Sequence, residues 1–209
     1  MVSCKRGFES PCADKQLKRV NMEGFKLFGG THIPDVGEYV LNYVTEHPDT
    51  MVFIGTDSTQ LRKQTLYATA IVLYHPGNGA HIIYKRYRLA KIKDLFTRLW
   101  NEVEYTKTVS EYIDEILTGK YTFVWNKDTL REYKNMLRMP TDIELKDANM
   151  KLQFERLVFT DLDFNPSENH KSNVVHDAAV GTLKGLGFRV RTKPTAWAAT
   201  CAADLVCKF

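Results

Sequence analysis

Cysteine is scarce in this chain, and its four cysteines are spaced in a way that argues against a cysteine-based metal site. Cys4, Cys12, Cys201 and Cys207 form no CxxC pair, the spacing that many metal-binding cysteine motifs share. On a helix, Cys201 and Cys207 would lie about 120° apart at about 100° per residue, so they could not bind one metal ion together. The pattern is typical of free thiols in a reducing compartment.

Long hydrophobic runs are also absent. No apolar stretch approaches the roughly 20 residues that a membrane-spanning helix needs. The opening stretch, MVSCKRGFESPCADKQLKRV, lacks the hydrophobic block of a signal peptide. We therefore expect a cytoplasmic protein that does not enter a membrane.

Charge of one sign is not in large excess either. The chain carries 29 Lys plus Arg against 25 Asp plus Glu, which gives a net charge of +4. This mild excess permits nucleic-acid binding without requiring it. The 209 residues contain no internal repeat and no low-complexity tract, and their number predicts one well-packed domain.

The order of hydrophobic patterns predicts a mixed α/β sheet covered by helices. Residues 1–33 are polar and irregular and predict a partly ordered N-terminal arm, so that the single domain occupies 34–209. A short helix opening at Pro34 precedes three strands that form an antiparallel meander. The predicted elements are strands at 51–58, 65–74 and 81–89, a long amphipathic helix at 91–117, a strand at 157–163, a helix at 172–186, a strand at 188–193 and a helix after Pro194.

Two groups of basic residues each allow a functional and a structural interpretation. Residues 118–153 interrupt the regular hydrophobic periodicity and predict an insertion. Its aromatic and basic side chains could stack bases and hold phosphates, or they could belong to an ordinary amphipathic helix. A second row alternates along the last predicted strand and either contacts a polyanion or protects an edge strand from aggregation. The first group is Tyr121, Trp125, Lys127, Arg131 and Lys134, and the second is Arg189, Arg191 and Lys193.

Asp204 is the only charged residue between Pro194 and Cys207, in the stretch PTAWAATCAADLVC. These apolar neighbours predict that its carboxylate is buried, and a buried carboxylate is costly unless a cation or hydrogen-bond donors compensate it. The alternative is an ion pair with Lys208 one turn later. An exposed pair of that kind contributes only a few tenths of a kcal/mol, too little to offset burial, so we expect a metal or an internal donor.

Two further acids stand near the ends of predicted strands. Asp57 lies near the end of the first strand, on the same face as Phe53 and Gly55, where the alternative is a turn-capping role. Asp163 closes the run LVFTDLDFNP, at the end of a strand where sites on open sheets normally lie. Strand alternation places Asp161 on the face of Asp163, and we expect it to support the site or to be an exposed strand residue.

Helix geometry selects Glu102 over Glu104 on the long helix. With Leu99 at zero and about 100° per residue, Glu102 lies near −60° and borders the buried stripe, whereas Glu104 lies near 140° and faces solvent. The alternative is that Glu102 is an ordinary flanking acid. Four carboxylates from two strands and two helices suit hard divalent cations, and two such ions can hydrolyse a phosphodiester without a His, Ser or Cys nucleophile.

Several short motifs occur together in a defined order. They are IGTDS, TLYATAIVLY, LDFNP followed by KSN, GLGFRV, KPTAWAAT and CAADLVCK. With these motifs the chain resembles the YkuK-type predicted nucleases of the ribonuclease H-like superfamily, over roughly residues 35–117 and 155–208. The resemblance implies a ribonuclease H-like fold, with a five-stranded mixed sheet whose first three strands are antiparallel. It also implies that the catalytic and metal-binding acids are Asp57, Glu102, Asp163 and Asp204.

The resemblance and the acids together predict a nuclease that uses two Mg²⁺ or Mn²⁺ ions. We expect an endonuclease that cuts the RNA strand of RNA–DNA hybrids. One alternative is a structure-specific DNA endonuclease for junctions or flaps, and another is a catalytically silent module that binds nucleic acid or protein. The predicted substrate contacts are Ser58, Asn165, Lys171 and Lys208.

Overall fold

The computed structural model describes residues 22–121, 127–128, 131, 158–167 and 169–208. Residues 1–21 of the predicted arm and nearly all of the predicted insertion lie outside this range. The elements in chain order are β1 (Lys26–Leu27), α1 (Val36–Glu46), β2 (Met51–Gln60), β3 (Gln64–His75), β4 (Gly79–Ala90), α2 (Leu95–Leu117), β5 (Val158–Leu162), α3 (Asn173–Gly185), β6 (Arg189–Arg191), a π-helix (Ala198–Ala203) and α4 (Asp204–Lys208).

The predicted mixed α/β sheet is confirmed, with one strand more than expected. Among the described residues the sheet has six strands in the order β1-β4-β3-β2-β5-β6. Strands β2, β3 and β4 form the predicted antiparallel meander, and β5 and β6 add in parallel beside β2. The extra strand, β1, pairs with β4 through only two residues, Lys26 and Leu27, too short a run for a period-2 pattern to reveal.

Residues 22–33 join the folded core, although the sequence assigns them to the arm. Met22, Phe25 and Ile33 are buried against α1 and the adjacent face of the sheet. Phe25 is fully buried, and burying a side chain of this size contributes on the order of 2–3 kcal/mol. This segment therefore closes one edge of the core.

The strand directions bring four chain segments to one edge of the sheet. Strand β4 is antiparallel to β3, which is antiparallel to β2, so β2, β4 and β5 all end at the same edge. Helix α2 begins just after β4, and its first turns therefore lie at that edge as well. Asp94 caps this helix by accepting a hydrogen bond from the Thr97 N–H at 2.7 Å. We call this edge the carboxyl edge.

The two faces of β2 bury different partners because strand side chains alternate. Val52 and Ile54 pack in a core with α1 and α2. Met51 and Phe53 point to the other face and pack against alanines of the π-helix. The predicted C-terminal helix is therefore present, but it starts with π-helical turns before continuing as α4. No helix in the described ranges is long and apolar enough to cross a membrane.

Gly55 allows the π-helix to lie directly on β2. A Cβ atom at Gly55 would lie 2.5 Å from the amide nitrogen of Ala199 and 2.7 Å from its Cβ atom. Both distances are too short for real carbon contacts, so only glycine permits this approach. The small side chains of the π-helix serve the same close packing.

Gly55→Ala tests this close approach. The added methyl group must displace backbone atoms, and we expect it to lower the free energy of unfolding by about 1–3 kcal/mol. Gly181→Ala in α3 is the matched control, because a Cβ there meets nothing within 4 Å and alanine favours the helix by about 0.5–1 kcal/mol. Urea denaturation would measure both, and equal stability of the two variants would contradict the packing described.

Candidate active site

Asp57 lies on β2 near the carboxyl edge, on the face that meets the C-terminal helix. Its backbone carbonyl accepts a hydrogen bond from the Cys207 thiol at 3.3 Å, which ties β2 to α4. The pKa of its carboxyl is raised to about 6, chiefly by burial and also by the charges of Asp163 and Asp204, against the lowering effects of the Ser58 N–H and Arg98. Asp57 is therefore a half-buried acid that is repelled by two neighbouring carboxylates.

Glu102 lies on the inner side of α2 and is only 2% exposed. The helix-geometry prediction is confirmed in this respect, since Glu104 is more exposed and pairs with Lys107 at 2.5 Å instead. The Ser58 hydroxyl donates to the Glu102 carboxylate at 2.5 Å, and Arg98 donates to the same hydroxyl oxygen at 3.1 Å. Burial, followed by the charge of Asp57, raises the pKa of Glu102 well above its ordinary value.

Asp163 directly follows β5, at the end of the strand as predicted. One carboxylate oxygen accepts a hydrogen bond from the Thr200 hydroxyl at 2.5 Å, and the other accepts one from the Lys193 ammonium at 3.0 Å. Thr200 belongs to the π-helix, so Asp163 connects the end of β5 with the C-terminal helix. Neither Thr200 nor Lys193 was among the predicted site residues.

The predicted burial of Asp204 is wrong. Its side chain is 36% exposed and pairs with the Lys208 ammonium at 2.6 Å, which is the alternative that the sequence left open. The apolar neighbours misled the prediction because they occupy the inner side of the helix: Ala202, Ala203 and Val206 are buried, whereas Leu205 is 40% exposed. Asp204 thus lies between the buried side and the exposed side of the helix, within electrostatic reach of Asp57.

Asp161 is fully buried, so it is not an exposed strand residue. Its carboxylate accepts two hydrogen bonds from the Arg191 guanidinium, at 2.6 and 2.5 Å, and one from the Ala198 N–H at 2.8 Å. Arg191 is itself buried and stacks over the Phe53 ring at 4.1 Å. This network, which we call the Asp161 clamp, joins β5, β6 and the start of the π-helix.

Two of the three basic residues that strand alternation predicts as a row on the last strand are paired with acids of the site. Arg191 is used internally, and Lys193 pairs with Asp163 at 3.0 Å. Burial disfavours the ionised form of Asp161 and raises its pKa, against the lowering effects of Arg191 and the Ala198 N–H. These groups therefore hold the site together rather than face a ligand.

The predicted substrate contacts are distributed around this region. Ser58 is buried and holds Glu102, and Lys208 holds Asp204. Asn165 accepts a hydrogen bond from the Ser167 N–H at 3.0 Å and shapes the loop after β5. Lys171 is exposed in that loop. Arg98 was missed, although its i,i+4 spacing from Glu102 is a signal that could have found it.

The donor chemistry suits a divalent cation, whereas the side-chain positions do not form a ready ligand cage. Within the described ranges, no set of three or more His, Cys, Asp or Glu side chains is placed to hold a metal ion. Asp163 and Asp204 each face a lysine, so both would have to exchange that lysine for an ion. Carboxylate oxygens are nevertheless the ligands that Mg²⁺ and Mn²⁺ prefer, and a cation would relieve the repulsion that helps to raise the pKa of Asp57.

A cavity of about 330 Å³ lies away from these acids, at the opposite edge of the sheet. It is lined by residues at the end of α1, the end of β3 and the start of β4, including Tyr43, His47, His75 and His81. None of the four predicted acids lines it. The acids therefore lie outside this cavity.

The sequence was also compared with known proteins. A family model described as "Ribonuclease H-like" matches residues 35–208. The comparison with curated proteins gave no match, and neither did the comparison with solved structures. The match includes every described helix and all four acids, and it leaves out the residues before position 35, among them β1.

Arg191→Ala tests the Asp161 clamp. The substitution leaves a fully buried carboxylate without its cation, and we expect it to lower the free energy of unfolding by about 3–5 kcal/mol. Arg191→Lys should be intermediate, because an ammonium cannot reproduce the two parallel hydrogen bonds. Lys193→Ala removes a partly exposed pair and should cost less than about 1 kcal/mol. Chemical denaturation measures all three, and an equal loss for Arg191→Ala and Lys193→Ala would contradict the assignment.

Asp57→Asn in metal-free protein tests the electrostatics of the site. The ordinary pKa of the carboxyl is 3.8 and its pKa in the folded protein is about 6. Between these values the folded chain binds more protons than the unfolded chain, so stability falls as the pH rises from about 4 to about 6 and stays reduced above that. Because Asn removes this penalty, we expect the variant to be more stable than the original protein at pH 7, by about 1–3 kcal/mol.

The stability gain of Asp57→Asn should shrink as the pH is lowered toward 4, which thermal melts at several pH values would show. Asp177→Asn is the control, because its side chain is 96% exposed and its removal should change stability by less than about 0.5 kcal/mol. A destabilising effect of Asp57→Asn at pH 7 would count against the raised pKa.

Proposed function

Because this chain belongs to the ribonuclease H-like family, we propose that it is a metal-dependent nuclease that hydrolyses phosphodiester bonds. The proposed catalytic acids are Asp57, Glu102, Asp163 and Asp204. The observation that supports this best is the family match over residues 35–208, which includes all four acids, and the raised pKa of Asp57, caused by burial and then by the charges of Asp163 and Asp204, agrees with it. Carboxylates that repel one another at an open edge are typical of a site that is completed by cations.

The four acids would hold two Mg²⁺ or Mn²⁺ ions, and the other residues would position the acids. When bound, such ions activate water and stabilise the leaving oxygen of a phosphodiester. Ser58 orients Glu102 through its 2.5 Å hydrogen bond, and Thr200 holds one oxygen of Asp163. Lys193 pairs with Asp163 and Lys208 pairs with Asp204, so each lysine offsets one negative charge of the site.

We propose the RNA strand of an RNA–DNA hybrid as the substrate. Structured DNA, such as a junction or a flap, is the other nucleic-acid substrate that the family assignment allows. Ser58, Asn165, Lys171 and Lys208 are the proposed substrate contacts, of which Lys171 is exposed in the loop after β5 and would pair with a phosphate. We also propose that the protein is cytoplasmic.

A catalytically silent binding module is the second candidate, because two of the acids already have cationic partners. Lys208 and Lys193 occupy positions next to Asp204 and Asp163 where ions would have to bind. A silent module would keep these pairs permanently. It predicts no metal-dependent cleavage and no effect of the Asp57 substitution on any activity.

The nuclease proposal is tested by a cleavage assay with Mg²⁺ or Mn²⁺ and labelled RNA–DNA hybrid, duplex DNA, single-stranded RNA and a DNA junction. We expect the hybrid to be cut, and Asp57→Asn and Glu102→Gln to reduce the rate on the order of 100-fold or more, because each replaces a carboxyl group that is proposed to bind the ions. Glu104→Gln is the matched control for Glu102→Gln, since Glu104 lies on the same helix but pairs with Lys107.

Glu104→Gln should therefore cut at the rate of the unmodified protein. Preference for the junction would favour the DNA endonuclease instead. No cleavage of any substrate, or equal cleavage by Glu102→Gln and Glu104→Gln, would show that the catalytic assignment is wrong and leave the silent module.

A further inference from the structure

We propose that the carboxyl edge carries a docking surface for the phosphate backbone of a nucleic acid, beside the acids. This inference rests on the proposed nuclease function and names the surface that would hold its substrate. The surface is formed by the turn between β2 and β3, the end of β4 and the linker from β4 to α2. We call it the basic edge, and its cations are Arg62, Lys63, Arg88, Lys91 and Lys93.

The basic edge is strongly charged and open to solvent. All five cations are exposed, and in the described part of the chain none of them forms an ion pair with an acid. The segments 60–64 and 86–94 contain one acid, Asp94, whose carboxylate is engaged in capping α2 through Thr97. Arg86, which is half-buried, is a sixth cation in these segments, so six positive charges stand against one negative charge in a chain whose net charge is only +4.

Hydrogen bonds hold the two charged segments together. The turn is closed by the Leu61 N–H, which donates to the Gln64 carbonyl at 2.8 Å. The Gln60 side chain donates to the Ile92 carbonyl at 2.7 Å, and the Ile92 N–H donates to the Thr65 hydroxyl at 3.0 Å. The turn and the linker that carry these cations are therefore held in fixed positions relative to each other and are not independent loops.

The basic edge is directly connected to the acids. Arg62 lies in the turn directly after β2, five residues after Asp57, so the chain between them spans at most about 16 Å at about 3.3 Å per residue. At about 3.4 Å per base pair, this corresponds to roughly five base pairs along a duplex. Arg98, which donates to Ser58 at 3.1 Å, stands between the basic edge and Glu102. A strand bound at the basic edge would thus extend to the acids.

A nucleic acid fits this surface better than an acidic protein does because a stacking platform adjoins the charges. Phe96 and Trp100 on the first turns of α2 stack on each other, with ring centroids 5.7 Å apart and planes at 6°. Phe96 is 44% exposed and follows Lys93 by three residues. Basic grooves with exposed aromatic rings are typical of proteins that bind nucleic-acid strands.

Binding measured without cleavage tests the proposal. Full-length protein carrying Asp57→Asn would be titrated in EDTA against a fluorescently labelled 20-base-pair RNA–DNA hybrid, about four times the five-base-pair span, with anisotropy read at several salt concentrations. The test variants add Arg62→Ala with Lys63→Ala, or Lys91→Ala with Lys93→Ala. The matched control adds Lys120→Ala with Lys184→Ala, which removes two exposed cations at the ends of α2 and α3 that lie far from the carboxyl edge.

We expect each test pair to weaken binding at least about tenfold at low salt and to reduce the slope of log K against log salt by about 1.4–1.8, since each lost phosphate contact lowers the slope by about 0.7–0.9. The control pair should leave the affinity and slope nearly unchanged. Arg62→Lys combined with native Lys63 should bind normally, because it keeps the charge. Thermal melts would verify that all variants are folded.

Equal affinities for the test and control pairs would overturn the proposal, as would the absence of binding to the hybrid by the parent protein. Binding of polyglutamate with the same affinity and the same salt slope would also overturn it in favour of a general acidic partner. The outcome is separable from that of the nuclease proposal. Reduced binding by the test pairs without any cleavage by the unmodified protein would support the basic edge and reject the nuclease, whereas full cleavage and binding by the test pairs would reject the basic edge alone.

Discussion

The position of the C-terminal helix depends on one buried carboxylate. Asp161 accepts hydrogen bonds from Arg191 on β6 and from the Ala198 N–H at the start of the π-helix, so a single group joins two strands to a helix. A fully buried carboxylate must be satisfied in this way, because an unpaired charge in the interior is very costly. The requirement determines where the π-helix starts. The start of the π-helix in turn places two later residues of the chain: Thr200, which donates a hydrogen bond to Asp163, and Asp204, which lies within electrostatic reach of Asp57.

Gly55 completes this arrangement from the side of the sheet. Without a side chain at this position, the helix backbone lies against β2, and the next inward residue of the strand is Asp57. The acids are therefore collected at the carboxyl edge by backbone packing, and not by attraction between them. Burial and then the charges of Asp163 and Asp204 raise the pKa of Asp57, so both oppose its ionised form in this arrangement. Functional sites commonly contain such electrostatic strain.

Charges at the carboxyl edge are sorted by depth. Glu102 is buried and Asp57 half-buried, whereas Arg62, Lys63 and Lys91 lie outside in solvent. Solvated cations are weakly held and remain free to exchange partners. Buried or partly buried acids keep their positions and interact more strongly, because the surrounding dielectric constant is lower. The edge thus combines a rigid acidic interior with an adaptable basic exterior.

The elements of this fold could be predicted from the sequence because their signals are local. Strand alternation and helical periodicity located the meander around Asp57 and the inward direction of Glu102, since both depend only on repeat geometry. The family assignment came from short motifs in order. The environment of Asp204 could not be predicted, because its apolar neighbours belong to the other side of the helix. The roles of Asp161 and the basic edge were decided by tertiary structure alone, since they join residues that are distant in the chain, such as Asp161 with Arg191 and Gln60 with Ile92.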